Sequence, residues 1–340
     1  MRILKTLLVL LAVLATVFLG VGLALPDRAR VERSVLIDAS PATVYTVLNG
    51  FRQFNRWSPW ADIDPQTVYT YSGPPTGVGA RQRWTSQNPA AGSGSQEILE
   101  ATPYAAVKVR LQFDGMDVDN LLTYSLSAEG SGTRLVWTYE SDFNGNVLNR
   151  YFGLLLDKMI GPDFDKGLAR LKPLAESLPR TDFTAVQPEV VEVDSLPIAY
   201  VAGEAPYDGA APLVQDAHAR IAAFIAGAGR RASCEPLLIT ESLDASTRLW
   251  KFIVAIPLDA ACTPPDEASA VRCGKTYAGW AIRGRHVGAD AAIESSVAAL
   301  TAFKLTAGLE DNGARWQQRL SDPGVTTSET SLAQLVQPVK

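Results

Sequence analysis

The feature that most constrains the fold of this chain is a change in the spacing of its apolar residues. Between Thr67 and Phe143, apolar and polar residues alternate in six segments separated by Gly, Pro and Asp/Asn turns: TVYTYS, ARQRWTS, SQEILEA, AVKVRLQF, LLTYSLS and TRLVWTYESDF. From Val147 to Leu171 the apolar residues recur at helical spacing instead, with Pro162 predicting a kink or break. A one-sided sheet and a one-sided helix bury each other, so the sequence predicts an α+β unit: an antiparallel sheet around a long C-terminal helix.

A strand and a short helix precede this sheet. The segment VERSVLID, residues 31–38, alternates as a strand does, and Ser40 with Pro41 forms a helix-start signal before ATVYTVLNG. The chain therefore enters the sheet unit through a strand that leads directly into a helix.

The N-terminus holds an uncharged apolar run from Thr6 to Leu25. Its length matches the roughly 30 Å hydrocarbon core of a bilayer, which predicts a single-pass anchor over residues 1–29. Arg2 and Lys5 before the run favour an inner-membrane protein with periplasmic domains, although Arg28, Arg30 and Arg33 beyond it weaken that orientation. The alternative is a cleaved signal peptide with Gly22 and Ala24 before the cut; the length of the run favours the anchor.

Composition and motifs exclude several functions. The chain has 340 residues, 47% of them hydrophobic and 20% charged, which suits two globular units. A net charge of −5 without a basic cluster argues against nucleic-acid binding. No strong local motif for catalysis or metal binding occurs, and His218 and His286 have no carboxylate or Cys partner at ligand spacing, so we predict no catalytic residue, metal or cofactor.

Four segments of residues 30–178 together resemble the START-related (SRPBCC, polyketide-cyclase-like) helix-grip family: ERSVLIDASPATVYTVLN, the WSPW run at 57–60, YSGPPTGVGA at 71–80 and DFDKGLARLK at 163–172. In that family an apolar cavity commonly lies between the curved sheet and the long helix. The resemblance therefore implies ligand-binding aromatic residues at Trp57, Trp60, Tyr69, Trp84, Phe113 and Trp137. The alternative for each of them is that it fills the core.

The C-terminal part contains an internal repeat after a polar, proline-containing linker at 179–188. ARIAAFIAGAG (219–229) matches AALTAFKLTAG (298–308), and similar strands flank each helix, which predicts a duplicated strand-helix-strand-strand unit over residues 189–340. With the AIRGRHVG turn and the ending WQQRLSDP at 316–323, this unit resembles the GyrI-like effector-binding domain.

That second resemblance implies a pocket for small aromatic molecules between the two halves. Its predicted ligand-binding residues are Tyr200, Trp250, Phe252, Tyr277, Trp280, Trp316 and Gln317. Members of that family commonly have Glu where this chain has Gln317, so the resemblance implies neutral rather than cationic ligands here. Glu204 or Glu241 would be the substitute carboxylates, and both are more typical of exposed strand ends.

The cysteines leave two possibilities open. Cys262 and Cys273 bracket the segment CTPPDEASAVRC between two apparent strands, and a disulfide there would stabilise by about 3 kcal/mol in an oxidising compartment. Two separate reduced thiols fit the sequence equally well.

The sequence as a whole favours a membrane-anchored protein that binds or senses small hydrophobic or aromatic molecules through two pockets. An enzyme acting on polyketide-like or reactive small molecules, of cyclase or hydrolase type, is the main alternative. A scaffold for a membrane partner is the third.

Overall fold

The computed structural model describes residues 2–115, 118–264, 269–289, 292–320 and 331–340. The chain divides into two compact units, Met1–Arg180 and Thr181–Lys340. The predicted mixed α+β architecture is confirmed. Residues 265–268, inside the predicted cysteine loop, and 321–323, at the end of the WQQRLSDP segment, lie outside the described residues.

The first unit begins with the apolar helix α1 (Arg2–Ala24). A seven-stranded antiparallel sheet follows in the order β1-β7-β6-β5-β4-β3-β2. Its strands are β1 (Arg28–Ile37), β2 (Val68–Ser72), β3 (Arg81–Thr85), β4 (Gly94–Thr102), β5 (Ala106–Phe113), β6 (Asp119–Glu129) and β7 (Gly132–Asp142). The helices are α2 (Pro41–Leu48), α3 (Phe54–Trp57), α4 (Val147–Gly153) and the long α5 (Leu156–Glu176).

Local sequence explains these elements. The Ser40 hydroxyl accepts a hydrogen bond from the Thr43 N–H and caps α2, as its sequence signal predicts. On β5, Val107, Val109 and Leu111 are buried while the residues between them are more exposed. The inward side chains of the strands and one face of α5 form a single core, which places α5 across the sheet.

The helical segment breaks at a different point from the one that Pro162 predicts. Pro162 lies inside a continuous α5, and the interruption falls at residues 154–155. Glycine is a poor helix former, and α4 ends at Gly153, whose Cα packs so closely on Phe143 that a Cβ would lie 2.8 Å from the ring. Tertiary packing at Gly153 therefore sets the boundary.

The second unit is built on an eight-stranded sheet in the order β12-β9-β11-β10-β14-β15-β13-β8. Its strands are β8 (Glu189–Val193), β9 (Pro197–Pro206), β10 (Leu237–Leu243), β11 (Leu249–Pro257), β12 (Arg272–Lys275), β13 (Gly279–Val287), β14 (Arg315–Arg319) and β15 (Leu332–Pro338). Helix α6 (Ala211–Gly227) follows β9 and helix α7 (Ile293–Ala307) follows β13. The predicted duplication is therefore present: each half is a strand, a helix and two strands, and the halves join where β10 pairs with β14.

Part of the predicted linker belongs to this second unit. Phe183 and Val186 are buried, and the Phe183 ring meets the Phe303 ring of α7 edge-on at 5.6 Å. The sequence pattern missed this because two apolar residues in a polar segment form no period. Cys262 and Cys273 are joined by a disulfide, so of the two possibilities left open the structure has the bridge.

Candidate functional site

The first unit contains an apolar cavity of about 220 Å³ between the sheet and the helices. Strands β2–β7, helices α3 and α5 and the loops after α3 and β3 contribute its lining: Phe54, Ser58, Trp60, Ile63, Thr67, Tyr69, Gln82, Trp84, Ala90, Ala91, Gln96, Leu111, Phe113, Leu122, Tyr139, Ile160 and Phe164. No Asp, Glu, Lys, Arg or His stands among these described lining residues. This lining therefore favours a neutral apolar ligand, because it offers no counter-charge to a charged one.

Four of the six aromatic residues predicted from the sequence of this unit line the cavity: Trp60, Tyr69, Trp84 and Phe113. Trp84 meets Phe113 edge-on at 5.7 Å, and Tyr69 lies opposite Trp84 on the paired strand. Gly94 makes room for the Trp84 indole, because a Cβ at this position would lie 2.5 Å from the ring. Because Gly94 of β4 has no side chain, the Trp84 ring of β3 packs directly against β4 and forms part of the aromatic wall.

Trp57 and Trp137 differ from the other four, since neither lines the cavity. Both are almost fully buried in the core, where Trp137 stacks on Phe164 at 3.8 Å between ring centroids. The ring of Trp137 also lies against Gly167 of α5, where a Cβ would come within 2.9 Å. Helix α5 thus covers Trp137 closely, and Trp57 packs edge-on against Trp137 at 5.4 Å, so both indoles belong to the core.

The WSPW run is tied to α5 by polar contacts. The Trp60 indole N–H donates to Asp163 Oδ2 at 3.1 Å, and Arg170 Nη1 donates to the Ser58 carbonyl at 3.1 Å. Arg170 also pairs with Asp62 just beyond the run. Trp60 is thereby held with its ring against the cavity and its N–H turned to the helix.

Two glutamines in the cavity wall were not predicted. Gln82 and Gln96 are 1% and 4% exposed and lie directly opposite each other on β3 and β4. The signal was present in the sequence, because both glutamines occupy inward positions of alternating strands where an apolar residue is normal.

The titratable groups among the described lining residues are two phenols, those of Tyr69 and Tyr139. Burial raises the pKa of Tyr69 and of Tyr139 above the ordinary value, so both stay protonated at neutral pH. The Tyr139 hydroxyl donates to Asn120 Oδ1 and is already engaged. Neither phenol is therefore suited to act as a general base.

The second unit contains an open cleft of about 750 Å³ next to α6 and the start of α7. Trp250 and Gln317 line it, as do Tyr207, Arg248 and Glu294. Arg248 lies over the Tyr207 ring, 4.9 Å from its centroid, and pairs with Asp208 at 3.2 Å and Glu294 at 3.5 Å. One guanidinium thus pairs with two carboxylates, and Glu235 and Arg319 also line the cleft. His218 also lines it, and burial lowers the pKa of His218.

The structure does not bring the remaining predicted aromatic residues into that cleft. Phe252 is buried among core residues against α6, whereas Tyr200 and Trp316 pack with Ile198 and Ala255 on a separate apolar cluster. Tyr277 donates a hydrogen bond to the Trp280 carbonyl near the C-terminal strand. Alternation along the strands explains the position of Tyr200 and Trp316, whose cluster lies on the opposite face of the sheet. Phe252 shares the face of Trp250 but lies deeper in the core and does not reach the cleft.

The other candidate polar residues of this unit lie elsewhere. Glu204 pairs with the exposed Lys251 at 3.5 Å, and Glu241 is exposed. His286 is buried and its ring nitrogens contact Ser296 Oγ and the Ala289 carbonyl, which is a structural role. Among the described residues there is no group of three or more His, Cys, Asp and Glu side chains arranged to hold a metal ion.

Residues 28–176 match the model of a protein family described as polyketide cyclase / dehydrase and lipid transport. This match bears out the predicted resemblance of residues 30–178 to the SRPBCC-type family. No protein with a curated description matches the sequence.

Solved structures similar to parts of the chain include the C-terminal domain of EcmrR, at 10% identity over 46% of this chain and 98% of that one, with a TM-score of 0.41. A hydrolase from Listeria innocua is 24% identical over 45% of this chain and 91% of its own, with a TM-score of 0.33. A protein from Chromobacterium violaceum is 20% identical over 44% and 98%, with a TM-score of 0.31. At these values the likenesses assign no activity to this chain.

Proposed function

We propose that this protein is a membrane-anchored binding protein for small hydrophobic or aromatic molecules. The observation that carries the proposal is the cavity of the first unit, whose described lining has four aromatic predicted site residues and no charged side chain. The match of residues 28–176 to a family that includes lipid transport supports the same class of ligand.

Binding is favoured over catalysis by the chemistry of the cavity wall. Acid–base catalysis needs a group that exchanges a proton near neutral pH. The phenols of Tyr69 and Tyr139 titrate above the ordinary range because they are buried, and no carboxylate or imidazole stands among the described lining residues. The enzyme alternative therefore has no acid–base candidate among the described lining residues.

A blocked cavity tests this function. Ala91 lies on the loop after β3 and is only partly buried, so Ala91→Phe should fill the cavity from its rim at little cost to folding. The full chain, extracted in mild detergent, would be analysed by native mass spectrometry for co-purified small molecules. We expect an apolar adduct on the wild type that is lost in Ala91→Phe and retained in Ala105→Phe, a matched change on the exposed β4–β5 loop. Equal adducts on both variants, or none on the wild type, would contradict the proposal.

The second unit is proposed to be a GyrI-like effector-binding domain with its own ligand in the 750 Å³ cleft. Its duplicated halves and the cleft residues Trp250 and Gln317 support this. Arg248 pairs with both Asp208 and Glu294 and offsets one of their two negative charges, and Glu235 also lines the cleft. Neutral aromatic ligands are the class that we propose because Gln317 stands where the resemblance implies a Glu, and an amide brings no counter-charge to that position.

The proposed anchor is α1, whose apolar segment Ile3–Ala24 has a mean hydropathy of 2.8 and is long enough to cross a bilayer. Contacts with α4 favour its retention over cleavage. Arg150 donates to the carbonyls of Leu23 and Leu25 at 3.0 and 3.2 Å, and so binds acceptors at the end of α1 that have no helical partner. The Tyr151 ring stacks on Phe18 at 4.4 Å between centroids.

An exposed apolar stripe on α4 and the start of α5 adds a second membrane contact to this proposal. Leu148 and Phe152 of α4, Leu155 at the interruption and Met159 of α5 are each more than half exposed. Because α4 packs on α1 at Phe18, about 10 Å along the helix from Leu25, a spanning α1 would place this stripe at the lipid–water boundary.

Depth measurements in vesicles test the anchor and the stripe together. In a Cys234→Ser background, Leu155→Cys would carry an environment-sensitive fluorophore, with Val68→Cys of β2, on the sheet edge opposite β1, as the matched exposed control. Spin labels on the acyl chains should quench the fluorophore at 155 and leave the one at 68 unaffected. Equal quenching at both positions would refute the stripe, and recovery of a soluble periplasmic form that begins near Leu25 would refute the anchor.

A further inference from the structure

At one paired position of the cavity wall, polar side chains occupy inward positions that are normally apolar. On β3 and β4 the inward positions are Gln82, Trp84, Gly94, Gln96 and Ile98, and the two glutamines are directly opposite each other. A sequence that needed only a packed core would put apolar residues at this pair. Departures from the apolar pattern of a core are expected at functional sites, and this pair is such a departure.

The amide oxygens of these glutamines are buried and unused. Gln82 Oε1 and Gln96 Oε1 have no hydrogen-bond partner among the residues that the structure describes, although each side chain is more than nine-tenths buried. The other end of the Gln82 amide is engaged, since its Nε2 donates to Asn55 Oδ1 at 3.3 Å. That bond orients the amide and leaves the carbonyl oxygen as the free group.

We infer that Gln82 and Gln96 form the recognition point for a hydrogen-bond donor on the ligand, so that the cavity takes neutral apolar molecules bearing a hydroxyl or N–H group. This inference rests on the proposed function of the cavity and narrows its ligand class. A buried acceptor without a partner disfavours the empty site, and a ligand that supplies the donor removes that penalty. A purely hydrocarbon ligand of the same shape leaves both acceptors unpaired.

The chemistry of the wall also selects against charged ligands. An anionic ligand would meet two acceptor oxygens, and a cationic one would find no carboxylate among the described lining residues. Tyr139 does not supply a hydrogen-bond donor to such an anion, because its hydroxyl already donates to Asn120. The acceptor pair is therefore the polar feature that distinguishes one neutral ligand from another.

Matched probes make the inference testable on the full chain in detergent. Naphthalene and 2-naphthol have the same rings and differ by one hydroxyl group. Titrations by calorimetry or by quenching of tryptophan fluorescence would give both affinities for the wild type, Gln96→Met and Gln112→Met. Gln112 is the control because it lies on the same sheet at an exposed position of β5.

We expect the wild type and Gln112→Met to bind 2-naphthol about tenfold more tightly than naphthalene, as one hydrogen bond to an otherwise unpaired acceptor provides. Gln96→Met should lose most of this preference while binding naphthalene at least as well. Equal preference in Gln96→Met and the wild type would overturn the acceptor pair and leave the proposed function standing. Failure of the wild type to bind either probe would contradict the proposed function itself.

Thermal unfolding is a second test. If Gln96 only stabilised the core, its replacement would lower the unfolding temperature, whereas a ligand-binding role predicts no fall. Without ligand, Gln96→Met should unfold at the same or a higher temperature than the wild type, because it removes a buried acceptor without a partner and keeps the side-chain volume. A marked fall in the unfolding temperature would assign Gln96 to the core and overturn the inference.

Discussion

Replacing Trp137 by alanine separates the aromatic residues of the core from those of the cavity. Trp137 is fully buried, stacks on Phe164 at 3.8 Å and meets Trp57 and Trp60 edge-on at 5.4 and 6.1 Å. Truncation of a buried Trp costs about 3–5 kcal/mol of folding free energy. Its indole Nε1 has no partner among the described residues, so removing it returns about 1 kcal/mol of that loss. The expected net loss is about 3 kcal/mol.

Urea unfolding of the full chain, followed by near-ultraviolet circular dichroism, would measure this loss. Trp84→Ala is the matched control, because Trp84 is only partly buried and borders the cavity. It should cost about 1 kcal/mol and reduce binding of 2-naphthol, whereas Trp137→Phe should retain binding. A loss below about 1 kcal/mol for Trp137→Ala, or equal losses for the two alanine variants, would refute the division into core and cavity residues.

Three further predictions concern pH, the disulfide and the second cleft. Burial raises the folded-state pKa of Tyr139, so the stability linked to its proton is present at neutral pH and is lost as pH rises above about 10; Tyr139→Phe should flatten the alkaline fall in unfolding temperature. Replacing Cys262 and Cys273 by serine should lower the unfolding free energy of the second unit by about 2–3 kcal/mol, measured in urea, and an unchanged midpoint would show that the bridge does not form. Arg248→Gln frees the carboxylates of Asp208 and Glu294 and should raise the affinity for a cationic dye about threefold or more. Fluorescence titration measures that change, and affinity that stays the same would place the binding site outside the cleft.

Most of the fold could be predicted because both units follow simple periods. The alternation between Thr67 and Phe143 corresponds to strands β2–β7, and the internal repeat corresponds to the two halves of the second sheet. Alternation gives the face on which a side chain lies. It does not give what covers that face, so Trp84 and Trp137 look alike in sequence and differ only because α5 packs on Trp137.

The site residues that sequence reasoning missed or misplaced have a related cause. Gln82 and Gln96 are each a single inward polar residue in the sequence of its own strand. That they form a pair is apparent only from the register between β3 and β4. Trp250 and Trp316 both lie on strands of the second unit, yet only Trp250 reaches the larger cleft, since the two residues pack in different clusters. Register and the facing of individual strands are tertiary properties that a local pattern leaves open.

The disulfide of the second unit also protects the edge of its sheet. The two repeats alone would end at β9 and β13, and the extra strands β12 and β8 pair with those ends. Cys273 lies in the four-residue β12, and its bond to Cys262 holds this short strand against β9. In a reducing compartment β12 would lose its covalent tie to Cys262, and its detachment would leave the β9 edge open to a strand from another chain. Self-association, rather than unfolding, is therefore the first consequence expected when this bond is reduced.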